Sequence, residues 1–417
     1  MIEAMTFGKT SASALVICAL LITFILVTYT SWPLETSLPG YLVPNDEYYL
    51  KIEAILNEVI VDVAKIRMLD KPNSVEFRVV TLDWVKENWG RRSVEANIRE
   101  VNIEEEIYKA VFLIPEDFSF SESKVQQAGY IMAALAGDTL YFTREHFDSY
   151  NEEGARETVA HEIAHLLQTI NFNIEEPTEF DAKQAKNALI EGDAEVTKAE
   201  YLLLRLNRTV ERSSLPSGNR TLTESEALWL LWVAPGIYGI GFVETLYEEG
   251  GWDKVDEALD HLPISMEQIM HPEKYLAGEG IVDFELRTIG EWELRKSDRF
   301  GELFILLVLA RHIPVDEAKF AAEGWAGDKF SYYRKSKDQL FLWKIFWDSS
   351  VDRDEFLAAL GKMLRSVESE EIALCYWKTY NGYLIVEPSD LSVTIVGASE
   401  VAALRPLHQS NGTFTVP

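Results

Sequence analysis

Residues 161 to 165 read HEIAH, the sharpest chemical signal in the chain. On a helix, His161 and His165 lie one turn apart on one face, so both imidazoles can reach a single cation, with Glu162 beside them. The same helix needs a buried side. Val159, Ile163, Leu166 and Ile170 recur at helical spacing as an apolar stripe apart from the histidines, which suits a helix lining a cleft. The pentapeptide alone also fits a solvated helix with two incidental histidines. A third donor narrows the choice, because catalytic zinc is usually held by three protein groups with the fourth position left to water. Glu191, in ALIEGDAEV on the next predicted helix, is the candidate, with Ala188 and Gly192 small enough to let this helix approach the first. Glu195, one turn on, is placed to accept the free N–H of a ligating histidine and fix its tautomer. In so acidic a chain an ordinary exposed glutamate is the competing reading of Glu191.

Stepping outward from these residues, the spacing of apolar positions predicts the two carrier helices over about 152 to 170 and 181 to 206. Upstream, a helix is expected over 47 to 69, a strand over 76 to 82 and an acid-rich helical stretch over 94 to 112. A β-hairpin is expected from about 129 to 143, turning at Ala136-Gly137-Asp138. Downstream of a polar loop over 207 to 222, residues 227 to 243 are uncharged and interrupted by Pro235-Gly236, which reads as two buried helices flanking a turn in preference to a re-entrant membrane hairpin, each half being too short to span. Helices are expected over 299 to 312 and 315 to 323. From 325 to 397, strand-like runs surround one amphipathic helix over 351 to 366.

The chain has 417 residues, 39 Lys+Arg against 68 Asp+Glu and a formal charge of −29, a balance that argues against nucleic-acid binding. At 47% apolar residues it can build a large core, so it is neither a disordered acidic tail nor a disulfide-stapled scaffold. Only two cysteines occur, and Cys18 falls in the apolar run from Ser11 to Ser31. That run is long enough to cross a bilayer as a helix and is read as an uncleaved anchor in preference to a signal peptide. Lys9 precedes it and Glu35, Asp46 and Glu47 follow it, favouring a cytoplasmic amino terminus and an extracytoplasmic body. Asn207, Asn219 and Asn411 stand in Asn-x-Thr acceptor sites. The expected organisation is a tail over 1–10, an anchor over 11–31, a tether over 32–46, a mainly helical core with a small sheet over 47–324 and an α+β region over 325–417; the fold class is α+β.

HEIAH followed by a glutamate ligand on a second helix resembles the gluzincin metallopeptidases, of which thermolysin is the familiar member. A closer similarity is to a group of poorly characterised prokaryotic metallopeptidases. It runs through QQAGYIMAALAGDTLYF, ARETVAHEIAHLLQ, FDAKQAKNALIEGDA, YGIGFVETLYEEGGWDKVD, SMEQIMHPEKY and AAEGWAGDKF, covering about 125 to 335. The spacing to Glu191 is longer than in thermolysin, and no Gly-Ala-Met-Glu-Asn motif is present, so an aminopeptidase is not implied. The resemblance implies a zincin-like core in which His161, His165 and Glu191 bind one Zn²⁺ that lowers the pKa of its water to about 7. It implies Glu162 as the general base and the strand over 129 to 135 as the edge on which an extended peptide pairs. His271 and Tyr275, in IMHPEKY, are the candidate oxyanion donors, because thermolysin-like enzymes use a His and a Tyr from outside the metal helix. For His271 a structural hydrogen bond beside Pro272 is an equal alternative.

The expected function is therefore a membrane-anchored, extracytoplasmic zinc endopeptidase acting on peptide or protein substrates. Two other readings compete: a non-proteolytic, metal-containing surface binding module with the same fold, and a zinc hydrolase of non-peptide amides or esters. A cleft closed over the metal would favour the binding module.

Overall fold

The computed structural model describes residues 46–210, 214–286 and 288–404. The expected tail, anchor and all but the last residue of the tether lie outside them, as does Asn411.

Helix α1 (Glu47–Arg67) opens on Asp46, whose carboxylate accepts the Tyr48 N–H at 3.2 Å, and buries the stripe Ile52, Ile55, Leu56, Val59, Ile60 and Val63. Strand β1 (Glu76–Val80) runs parallel to β3 (Thr139–Thr143), and β2 (Ala133–Ala136) folds back antiparallel on β3 through Gly137, whose φ of 65° suits the tight turn. The sheet order β1-β3-β2 leaves β2 at an edge. Between β1 and β2 the acid-rich stretch forms helices α2 (Leu82–Val85), α3 (Arg92–Ala96), α4 (Ile98–Ala110) and α5 (Phe120–Ala128), with a π-helical segment over Lys86–Arg91.

Helix α6 (Glu152–Asn171) carries HEIAH. Asn151 caps it and Glu152 and Glu153 sit in its first turn, where carboxylates suit the positive end of the helix. Val159, Ile163 and Leu166 of its apolar stripe pack with α1 and the small sheet, while Ile170 at its end is exposed. Helix α7 (Phe180–Leu206) carries Glu191 and Glu195 and lies against α6. The expected turn at Pro235-Gly236 is not a turn: α8 (Glu224–Asp260) continues through Pro235 and kinks only at Gly250 and Gly251. A helical proline displaces the carbonyl four residues back, here that of Leu231, and the Gln184 side-chain amide donates to that carbonyl at 2.7 Å. The lost bond is replaced, so the helix need not break. This helix is also the one described helix long and apolar enough to cross a membrane, but most of its apolar window is buried in the protein.

Ala188 and Gly192 do bring helices together, but the partner is α8 and not α6. A Cβ on Gly192 would collide with the Gly239 carbonyl, and one on Gly239 with the Ala188 carbonyl. Beyond α9 (Met266–Met270) and α10 (Pro272–Leu276), the chain enters a seven-stranded antiparallel sheet. Its strands are β4 (Glu293–Asp298), β5 (Trp325–Lys335), β6 (Asp338–Trp347), β7 (Glu370–Ala373), β8 (Tyr376–Thr379), β9 (Gly382–Pro388) and β10 (Ser392–Ala398), in the order β4-β5-β6-β10-β9-β8-β7. Helices α11 (Gly301–Ala310), α12 (Val315–Ala322) and α13 (Ser350–Ser366) accompany it. The fold is α+β. One hydrophobic cluster joins α7 and α8, through Ala188, Leu189 and Phe242, to Trp325, Trp343 and Ile395 of the large sheet.

Candidate metal centre

Helices α6 and α7 bring His161, His165 and Glu191 to one point. The two Nε2 atoms are 3.0 Å apart, His165 Nε2 lies 3.2 Å from Glu191 Oε1, and His161 Nε2 lies 3.4 Å from Glu191 Oε2. A tetrahedral ion with ligand bonds of about 2.0 to 2.1 Å requires donor separations of about 3.3 Å. The two Nε2 atoms and the Glu191 carboxylate stand near that spacing, each ring facing a different carboxylate oxygen, and one ligand atom from each of the three residues lies within 4.8 Å of the others.

The far side of each ring decides its tautomer. Gln168 donates its amide to Ile190 O at 2.9 Å and to Asp193 Oδ2 at 2.8 Å, so its Oε1, 3.0 Å from His165 Nδ1, can only accept. Nδ1 therefore carries hydrogen and leaves Nε2 free to ligate. His161 Nδ1 lies 3.0 Å from Glu195 Oε1, an ion-pair contact short of good hydrogen-bond geometry, and a proton on Nδ1 facing that carboxylate is favoured by charge. Glu195 is itself held by Lys198 Nζ at 2.6 Å. Asp193 passes the chain of contacts outward to Arg67 Nε at 2.8 Å, and Arg67 also pairs with Asp256 at 2.8 Å and lies over the Trp252 ring at 4.1 Å.

The electrostatics favour a cation between these side chains. Burial opposes charge on His161, yet Glu191 and Glu195 together raise its pKa to about 10; burial likewise opposes His165, which Glu191 also raises. Glu191 is held below the ordinary glutamate range by the two histidines in spite of its burial, and Glu195 down to about 2 by Lys198 and His161.

Glu162 differs from its neighbours. Burial pushes its pKa up to about 7 against the pull of both histidines and of the Leu135 backbone. Neither carboxylate oxygen has a hydrogen bond of good geometry. An orphaned, buried carboxylate beside three metal-spaced donors is costly unless it has work with a proton or a water. Leu135 lies on the edge strand. Thr143 N donates to Met132 O at 2.8 Å, and counting in twos along the antiparallel ladder gives Ala134 and Ala136 the bonds to β3. Ala133 and Leu135 thus turn their N–H and C=O groups outward. The exposures are 2% for His161, 0% for Glu162, 3% for His165 and 5% for Glu191, so the centre is closed to bulk solvent.

His271 and Tyr275 are not brought to this centre. His271 Nε2 sits 3.1 Å from both oxygens of buried Glu302, and the Tyr275 hydroxyl donates to His261 O at 2.8 Å while its ring packs edge-on against Phe242. Both polar groups have local partners, and neither is among the three clustered donors. Gln168, Asp193, Arg67 and Lys198 are the supporting residues missed in the sequence. Gln168 and Lys198 carried a signal, each standing three residues beyond the group it supports. A second acidic group, Glu267, Glu279 and Asp348, has the spacing of a cation site, but Lys274 Nζ fills it at 2.6, 2.9 and 2.7 Å.

Residues 288–408 match a family model described as a domain of unknown function, DUF8575. No curated protein and no solved structure matches the chain.

Proposed function

We propose that this chain is a zinc-dependent metallopeptidase of the gluzincin type, an endopeptidase whose body is anchored at the extracytoplasmic side of a membrane by residues 11–31. The observation that carries the reading is the set of His161, His165 and Glu191 on α6 and α7, with nitrogen and oxygen atoms 3.0 to 3.4 Å apart, beside a buried carboxylate whose oxygens lack a hydrogen bond of good geometry. When bound, zinc supplies a Lewis acid that polarises a scissile carbonyl and acidifies water. Around it, His161, His165 and Glu191 hold the ion, while Gln168 and Glu195 keep both Nδ1 atoms protonated. Glu162 takes the proton of the attacking water on a carboxylate oxygen and passes it to the leaving amine nitrogen. The outward N–H and C=O of Ala133 and the C=O of Leu135, whose N–H faces Glu162, pair with an extended peptide, which requires the closed centre to open along that edge.

The burial of all four side chains favours one other reading, a binding module in which the ion only ties α6 to α7. Purified full-length protein separates the two. The peptidase reading expects one zinc per chain by elemental analysis, lost on Glu191→Ala, and chelator-sensitive cleavage of an unstructured protein such as casein. Zinc retention without cleavage in the membrane-reconstituted protein would favour the module.

A further inference from the structure

A second site lies far along the chain from HEIAH, where α4 meets the end of the large sheet. A cavity of about 530 Å³ opens there, within the range that small organic ligands fill. Its floor follows from the sheet register. Gly397 pairs with Phe341, and Ser399 extends the same pairing to Gln339, its N–H donating to Gln339 O at 3.1 Å while Ser399 Oγ accepts the Gln339 N–H at 3.0 Å. Side chains two apart share a face, so Gln339, Phe341 and Ser399 point the same way. The Phe341 ring lies where a Cβ on Gly397 would be. The opposite wall is α4 with Glu116 beyond it, and Tyr380 stands at the rim, half-exposed and packed edge-on against Phe112.

The charges lining this cavity mostly neutralise one another. Glu105 pairs with Lys109 at 2.7 Å and accepts the Phe120 N–H, and Glu106 accepts the Tyr332 hydroxyl at 2.8 Å and faces Arg334 at 3.3 Å. Asn381 is spent on Lys109 O at 3.1 Å. What remains without a described partner is Glu116 and Lys337, one charge of each sign, with the Gln339 amide and the Tyr380 hydroxyl. The two unpaired charges are of opposite sign, so they favour neither a cation nor an anion. The amide and hydroxyl groups each donate and accept, which matches a ligand whose own hydroxyls do both, and the half-exposed Tyr380 ring offers apolar surface for the C–H face of a pyranose. We infer that this cavity binds a short neutral oligosaccharide, clasped between α4 and the sheet. The site shares no residue with the metal centre, so it stands whether or not the peptidase reading does.

Isothermal titration of the full-length protein in detergent with maltotriose, cellotriose and triacetylchitotriose tests this. At least one should bind in the range of about 0.1 to 1 mM. Gln339→Ala and Tyr380→Phe should each weaken it about tenfold, the scale of losing one buried hydrogen bond, with thermal unfolding unchanged. Lys337→Ala should alter affinity by less than about threefold, because a neutral ligand does not need the ammonium. Binding of none of the three sugars, binding indifferent to both Gln339 and Tyr380, or binding abolished by Lys337→Ala would each overturn the inference, the last by showing that the ligand is an anion.

Discussion

On the proposed reading the two histidines of HEIAH are set for ligation through their outer nitrogens, so the supporting side chains carry predictions as definite as the ligands. Gln168→Leu removes the acceptor that fixes His165, and Glu195→Gln blunts the one that fixes His161. Each should weaken zinc about 10- to 100-fold in competition with a chromophoric chelator, while the helical circular dichroism is kept. Affinity should also depend on pH in a defined sense. The carboxylates raise the pKa of both imidazoles, so at neutral pH the metal-free rings hold protons that the ion must displace. Zinc binding should therefore release protons in weakly buffered titrations, and affinity should fall as pH falls.

At the level of elements, the crossing of α7 and α8 is the tightest constraint on the centre. Gly192 follows Glu191 directly and meets Gly239 backbone to backbone, so Gly192→Ala should push the helices apart. A cost of about 1 to 3 kcal/mol is expected in chemical denaturation, with weaker zinc binding because Glu191 moves too. The small residues were legible in the sequence, but smallness says that something comes close and not which helix does. Pro235 was legible in the same partial way. It announces a lost hydrogen bond at Leu231, and only the fold reveals that Gln184 supplies another, so a break was expected where the helix runs on. By contrast α6, the β2–β3 hairpin and the strands after residue 325 were readable because their signals are local: an i, i+4 pair, a Gly-Asp turn and alternating apolar runs. His271 and Tyr275 had no such local signal. Their assignment came from resemblance, and their actual partners, Glu302 and the His261 carbonyl, have no spacing that points to them.

Across the whole molecule, contacts between distant parts of the chain hold the centre in place, and these were not legible in the sequence. Arg67 at the end of α1 meets Asp193 across 126 residues, and both are buried. Arg67→Met would leave Asp193 charged and unpaired in the interior, at a cost of about 3 to 5 kcal/mol in unfolding free energy. A second long-range tie joins His312 Nε2 to Phe112 O at 2.7 Å. Burial pushes the His312 pKa down to about 4, below the ordinary value of 6.5. A histidine depressed in the folded state contributes stability above pH 6.5 that is lost as pH falls toward 4. His312→Gln should flatten that part of the stability profile when unfolding is followed by tryptophan fluorescence. The cluster that joins α7 and α8 to the large sheet adds a further long-range tie.

The central claim is that Glu162 moves a proton for a zinc ion held by His161, His165 and Glu191. The most direct measurement is the rate of casein cleavage by the full-length protein and by Glu162→Gln, each first shown to carry one zinc per chain. Removing a general base while keeping the metal should lower the rate about 10²- to 10⁴-fold. A Glu162→Gln protein that holds its zinc and cleaves as fast as the wild type would contradict the account.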